Sequence, residues 1–358
     1  MKAAVCYEAG KPLIIEDVDI EPPRKDQVTV RLAATAICHS DISQLKGDWN
    51  LAFPIVGGHE SAGYVEEVGE DVTTVNPGDH VVVSGLVYCG KCFYCCTGAG
   101  YLCANRTKLP RFRQLRNKRG ERIINGPAGT FAEYTIVHYS QVTPIPKDMP
   151  MDSAALLGCS FITGFGAVVN TAEVRPLNSV VIIGLGGVGF STLQGAVVSG
   201  ANPIIAVDIM NKKLELSRAF GAMHTINPAE EDAIDAVKSL TFGRGADYVF
   251  VTVGNSAACA QGVRMSREGG TTVMSGVPPS RDTLNLSLAE LVSSSRRLIT
   301  SMMGSTIMSV DIPRLVAYYQ AGRIKLDELI SGRYPLEQIN EAIASTETGE
   351  ALRNVIVF

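Results

Sequence analysis

The chain has 358 residues, 46% of them hydrophobic and 19% charged, with a formal net charge of -4. That length accommodates two domains with separate cores, and the mild negative charge argues against nucleic acid as the main partner. No apolar run approaches the roughly eighteen residues a membrane span needs, and Met1–Glu8 holds no apolar signal region, so no membrane and a cytoplasmic location are expected.

Taken in order, residues 1–150 read as mostly β. Val28–Leu32 alternates, Gly63–Gly69 is a short strand between glycines, Asn76–Asp79 is a turn, and His80–Val83 follows as a buried strand. From about 160 to 302 strands and helices alternate. The strands expected there are Val180–Ile183, Ile204–Val207, His224–Ile226, Tyr248–Thr252, Thr271–Ser275 and Leu298–Met302. Such alternation predicts a doubly wound parallel sheet. The tail has amphipathic helices near Ile312–Ala321 and Leu336–Ser345 and a last strand Asn354–Phe358. It is expected to return to the first domain, so that residues 160–302 form a cofactor domain inserted between 1–159 and 303–358. The fold class is thus α/β, a mostly β domain plus a Rossmann domain.

The turn after Val180–Ile183 carries Gly184, Gly186 and Gly189 at G-x-G-x-x-G spacing, and a helical pattern follows. In a dinucleotide site the first glycine permits the turn, the second lets a pyrophosphate approach the backbone, and the third lets helix and strand pack closely. The diphosphate then rests on the free amides of the helix. The next strand ends on Asp208, where a carboxylate accepts both ribose hydroxyls of NAD and repels the extra phosphate of NADP.

Nine cysteines, an odd number in a long chain, argue against a disulfide framework. Cys89, Cys92, Cys95 and Cys103 are spaced to wrap tetrahedrally around one zinc, a closed and therefore structural site. An iron–sulfur cluster or free thiols are the alternatives. Cys96 is left over and is expected to point away. Cys38, His59 and Cys159 look like an open zinc site, in which two thiolates and an imidazole leave a fourth position for water or an alcohol oxygen. Alone, a buried cysteine reads more simply as a small core residue, and the spacing of the three does not join them.

A resemblance does. Cys38-His39-Ser40-Asp41, Gly58-His59-Glu60, the four-cysteine lobe, Gly158-Cys159, Gly184–Gly189 with Asp208, and Gly276-Val277-Pro278-Pro279 stand in one order along the chain. Together they resemble the zinc-dependent medium-chain alcohol dehydrogenases over essentially the whole length. The resemblance implies a GroES-like catalytic domain, two zinc ions per chain, NAD, and an alcohol, aldehyde or ketone substrate. It implies that Cys38, His59 and Cys159 hold the catalytic zinc. Glu60 would then lie behind it or serve as an occasional ligand, and Asp41 would orient the ligand histidine. His39, Lys213 and Arg353 match residues at the pyrophosphate or ribose, and Gly187, Val188, Val253, Ser275 and Val277 are taken as further nucleotide contacts. Ser40 fits the first step of proton release, whereas Ser43 stands where many members carry a relay histidine. A homodimer or homotetramer is implied, with Leu298–Met308 as the candidate edge.

Two departures bear on substrate. Gly85 stands where relatives often carry a bulky aromatic, which suggests room for larger, aromatic, terpenoid or branched alcohols unless Trp49 or Phe112 refills it. Residues 106–122 hold eight basic side chains and one acid, read first as a solvated loop. The sharper reading is an anionic substrate held by Arg111, Arg113 and Arg116, as in thiol-dependent formaldehyde dehydrogenases. Another rival is a zinc-retaining reductase of C=C or C=N bonds. From other classes come a non-catalytic NAD-binding protein and a thiol redox sensor.

Overall fold

The computed structural model describes residues 1–49, 52–109 and 114–358. By its internal contacts the chain divides into two units, Met1–Ser160 with Ile307–Phe358, and Phe161–Thr306.

The first unit is organised on the strand Gln27–Ala36, whose residues are nearly all buried because neighbours cover it widely. The sheet around it runs Val142–Pro144, His80–Ser84, Glu60–Val68, Gln27–Ala36, Arg353–Val357, Ile330–Tyr334, with Tyr134–His138 also paired to Gln27–Ala36. A closed barrel of Lys2–Cys6, Ile14–Ile20, Leu115–Asn117, Arg122–Asn125 and Ile55–Val56 accompanies it. The barrel core gathers Val5, Ile55, Leu115, Ile123 and Phe131, apolar side chains whose burial drives the closure. The last strand places Val355 opposite Ala36 in antiparallel register, so the tail completes the sheet begun near the amino terminus.

The second unit holds six strands, β1 (Val180–Ile183), β2 (Ile204–Val207), β3 (His224–Ile226), β4 (Ala246–Val251), β5 (Ser266–Met274) and β6 (Arg297–Thr300). Their order is β3-β2-β1-β4-β5-β6 and every pairing is parallel. Helices follow β1, β2 and β4 at Gly187–Val198, Asn211–Ala219 and Ser256–Met265. The order reverses at β1, where the glycine turn lies, and the carboxyl ends of strands at such a reversal form a ligand crevice. β1 and β2 are apolar throughout and fully buried, as strands covered by helices on both faces must be. β5 begins at Ser266, earlier than its apolar run suggests, because its polar start still pairs with Ala246 across a register shift. Among the described residues no single helix is long and apolar enough to cross a membrane.

Candidate functional site

Cys38 lies at the end of the Gln27–Ala36 strand and immediately precedes the helix His39–Lys46. Asp41, in the first turn, accepts from the Cys38 backbone N–H at 3.1 Å and the Gly58 N–H at 3.2 Å. Its third partner is His59 Nδ1 at 2.7 Å. One buried carboxylate thus fixes two loops and the histidine ring together. His59 Nε2 faces the other way, 3.2 Å from Cys159 Sγ and 3.2 Å from Ser40 Oγ. Ser40 Oγ also lies 3.1 Å from Cys38 Sγ. The donor atoms of Cys38, His59 and Cys159 all fall within 4.8 Å of one another, and all three residues are buried.

The charges of the three donors act strongly on one another. Burial opposes a charge on His59, but Asp41 and Cys38 outweigh it and raise the imidazole well above its ordinary value. The Cys159 thiol, as a hydrogen-bond donor, holds Cys38 well below the ordinary thiol value, with help from His59 and Arg353 against burial. Cys38 is therefore the more acidic of the two thiols. Donation to Cys38, with burial, raises the Cys159 thiol well above its ordinary value, so zinc, which takes thiolates and a neutral imidazole, would displace the protons of Cys159 and His59.

Two expectations around this pocket, at Glu60 and Gly85, need correction. Glu60 is not part of the converging donor set. Its carboxylate is bound by Arg353 Nη2 and by Ser160 Oγ, the latter at 2.6 Å. Burial pushes the Glu60 carboxyl up to about 7 against the pull of Arg353. Arg353, expected on the pyrophosphate, is only 4% exposed and gives Nη2 to Glu60, because a buried cation needs a buried counter-ion. Gly85 does not border free space at its α-carbon: an added Cβ would sit 3.1 Å from His59 Cβ and 3.3 Å from Pro127 Cβ. The glycine lets the chain pass close to His59. Trp49 is half-buried beyond the helix, and His39 is exposed in its first turn. Ser43 is half-buried on the same helix.

Cys89, Cys92, Cys95 and Cys103 also bring their sulfurs within 4.8 Å of one another. Cys92 Sγ is 3.5 Å from Cys95 Sγ and 3.9 Å from Cys103 Sγ. Asn105 donates to Cys89 Sγ at 3.2 Å, which brings that thiol down to about 6. Cys96 is exposed, and all nine cysteines are free.

In the second unit the three glycines separate cleanly by cause. Gly184 adopts φ +94°, a left-handed conformation that a side chain resists. At Gly189 a Cβ would lie 1.9 Å from the Gly184 carbonyl oxygen, whereas at Gly186 nothing lies within 4 Å. The second glycine therefore answers to no neighbour in its own fold and leaves the backbone open to a ligand. Gly187 and Val188 begin the helix Gly187–Val198. Asp208 Oδ2 accepts from Leu185 N–H at 2.6 Å and Oδ1 from Met210 N–H at 2.9 Å. Lys213 is largely buried, with its pKa lowered by burial despite Asp208. Val253 packs against Gly184, Ser275 Oγ is buried without a partner, and Val277 is exposed.

The basic segment resolves in part. Arg116 pairs with Glu21 at 3.3 Å, Lys118 with Asp17 at 2.8 Å and Arg119 with Glu121 at 3.3 Å. These are exposed surface pairs, and Arg116 is committed to one of them. Arg111, Phe112 and Arg113 lie outside the described residues. Three contributors carry no motif of their own: Ser160, Asn105, and Thr252, whose hydroxyl donates to the Gly184 carbonyl at 2.7 Å. A hydroxyl beside a cysteine, or one following a strand, gives no spacing signal.

Comparison with known proteins agrees along the chain. Residues 24–147 match the alcohol dehydrogenase GroES-like domain model and residues 187–320 the zinc-binding dehydrogenase model. The chain is 37% identical to a putative alcohol dehydrogenase D of Mycobacterium tuberculosis, covering 99% of each. It superimposes with a TM-score of 0.96 on an alcohol dehydrogenase zinc-binding domain protein of Burkholderia ambifaria, at 35% identity, covering 100% of this chain and 98% of that one. A benzyl alcohol dehydrogenase of Acinetobacter calcoaceticus gives a TM-score of 0.93 at 32% identity, covering 100% and 99%.

Proposed function

Since the chain belongs to the zinc-dependent medium-chain alcohol dehydrogenases, we propose that it transfers a hydride reversibly between an alcohol and NAD, giving an aldehyde or ketone. The observation that carries this reading is the convergence of Cys38, His59 and Cys159 with Asp41 behind the ring. The donor chemistry fits zinc, a borderline-soft ion bound by thiolate and imidazole. When bound, zinc supplies Lewis acidity to the alcohol oxygen, and the nicotinamide accepts the hydride.

The protein's own part is positional. Asp41 keeps the proton on His59 Nδ1 and so presents Nε2 as a donor atom. Ser40, 3.1 Å from Cys38 Sγ, would relay the substrate hydroxyl proton, with water rather than a histidine as the last acceptor given Ser43. Cys89, Cys92, Cys95 and Cys103 would hold a second, structural zinc, since four thiolates leave no open position. Gly186 admits the pyrophosphate to the backbone, and the Gly187–Gly189 amides receive it. Asp208, fixed by two backbone amides, binds the ribose hydroxyls and disfavours a phosphate there.

The preferred substrate is a bulky primary or secondary alcohol, a reading supported by likeness to a benzyl alcohol dehydrogenase rather than by Gly85. A homo-oligomer is supported by β6, at one end of the parallel sheet, and by Leu288 and Val292, 76% and 80% exposed on the neighbouring helix Leu288–Ser294.

The deciding experiment measures zinc content and NADH formation with a panel of alcohols. Loss of one zinc and of all activity in Cys38→Ala is expected. A single zinc in the unmodified protein, indifferent to that substitution, would redirect the assay to activated alkenes and imines.

A further inference from the structure

Beside the three donors lies a buried group of charges that the reaction as proposed does not use. Glu60 is 0% exposed, Ser160 2% and Arg353 4%. Ser160 holds one carboxylate oxygen twice, donating its hydroxyl to Oε1 at 2.6 Å and its backbone N–H at 3.3 Å. Arg353 Nη2 donates to the other oxygen, Oε2. Ser160 directly follows Cys159, so its hydroxyl rides on the same stretch of backbone as a metal donor, and Glu60 directly follows His59.

We propose that Ser160 is a positioning residue that, together with Arg353, turns Glu60 away from Cys38, His59 and Cys159, so that the metal keeps three protein donors and an open fourth position. This rests on the reading of those three residues as zinc donors. A carboxylate is itself a good zinc ligand, and one adjacent in sequence to a donor histidine stays off the metal only if its oxygens are held elsewhere. Here the restraint is divided. Arg353 supplies the counter-charge to Oε2, while Ser160 supplies direction to Oε1 without any charge. Removing the Ser160 hydroxyl therefore leaves Oε1 with only the longer 3.3 Å backbone N–H and keeps the charge count unchanged, which separates orientation from electrostatics.

The test compares the wild-type protein with Ser160→Ala, Glu60→Gln and the double variant, each loaded with zinc or cobalt. Metal content, the cobalt d–d absorption, and release of metal to the chelator 4-(2-pyridylazo)resorcinol are measured. Ser160→Ala is expected to keep its full metal content, to shift the cobalt band, and to release the Cys38-dependent metal several-fold more slowly, because a carboxylate that reaches the metal adds a fourth protein ligand. Glu60→Gln should erase both differences, so that the double variant matches Glu60→Gln alone. A wild-type band and release rate in Ser160→Ala would overturn the proposal, as would an effect of Ser160→Ala that persists undiminished in the Glu60→Gln background. Absence of any Cys38-dependent metal from the wild-type protein would overturn instead the reading on which the proposal rests.

Discussion

Asp41 shows how much one side chain can fix at the residue scale. It accepts from His59 Nδ1, from the Cys38 amide and from the Gly58 amide, so it sets the histidine tautomer and the spacing of two donor loops. Asp41→Asn replaces an acceptor with a group that can equally donate to Nδ1, releasing the tautomer. Zinc affinity at this site should fall by about 10- to 100-fold, measured by competition with a chelator while circular dichroism stays unchanged. The glycines give a paired prediction. Gly189→Ala drives a Cβ into the Gly184 carbonyl, and should lower stability by about 3 kcal/mol in thermal or urea unfolding. Gly186→Ala meets no protein atom, so it should unfold like the wild type yet bind NADH several-fold more weakly in a fluorescence titration. Equal melting losses in both variants would refute this division of roles.

Elements are held by polar ties as well as by apolar burial. In the parallel sheet, Asp247 in β4 accepts from the Ser179 backbone N–H and hydroxyl, both at 2.8 Å, and from Arg267 Nε at 2.6 Å. It thereby binds the starts of β1, β4 and β5. Burial opposes ionisation of Asp247, but Arg267 and Ser179 outweigh it and lower the carboxyl below its ordinary value. A carboxyl depressed in the folded state stabilises above its unfolded pKa and loses that contribution as pH falls through the folded one. Asp247→Asn should thus cost about 2 kcal/mol at pH 7, and the gap between variant and wild type in urea midpoints should narrow only below about pH 4. The cysteine lobe offers a second case. With Asn105→Ala, Cys89 loses its 3.2 Å donor, and metal should leave the lobe faster in chelator, with the Cys38-dependent metal unaffected.

For the whole molecule, the question is which surfaces meet another copy. Leu288 and Val292 lie one helical turn apart on Leu288–Ser294 and are largely exposed, on a unit whose sheet ends at β6. A lysine at each position places charge where an oligomer would bury apolar surface. Leu288→Lys/Val292→Lys should shift the mass measured by light scattering towards one protomer, leaving metal content intact. An unchanged mass would remove this surface from the oligomer interface.

The sequence by itself determined what is local. Apolar runs located β1 and β2 because a strand covered on both faces must be apolar throughout, and Gly184 and Gly189 reflect backbone demands confined to one turn. The four-cysteine lobe lies within fifteen residues, so spacing alone suggested a shared metal. Only tertiary structure decided what depends on distant segments meeting. Cys38, His59 and Cys159 are 121 residues apart from first to last, and the fold brings their donor atoms within 4.8 Å of one another, Asp41 tying the first two. Spacing also gave no sign that Glu60 and Arg353 are partners. Neither position announces that the other arrives beside it, yet once the last strand pairs with Gln27–Ala36, their charges are buried in one place and satisfy each other. The space at Gly85 was illegible for the same reason, since a missing side chain says nothing about the neighbour that has already moved in.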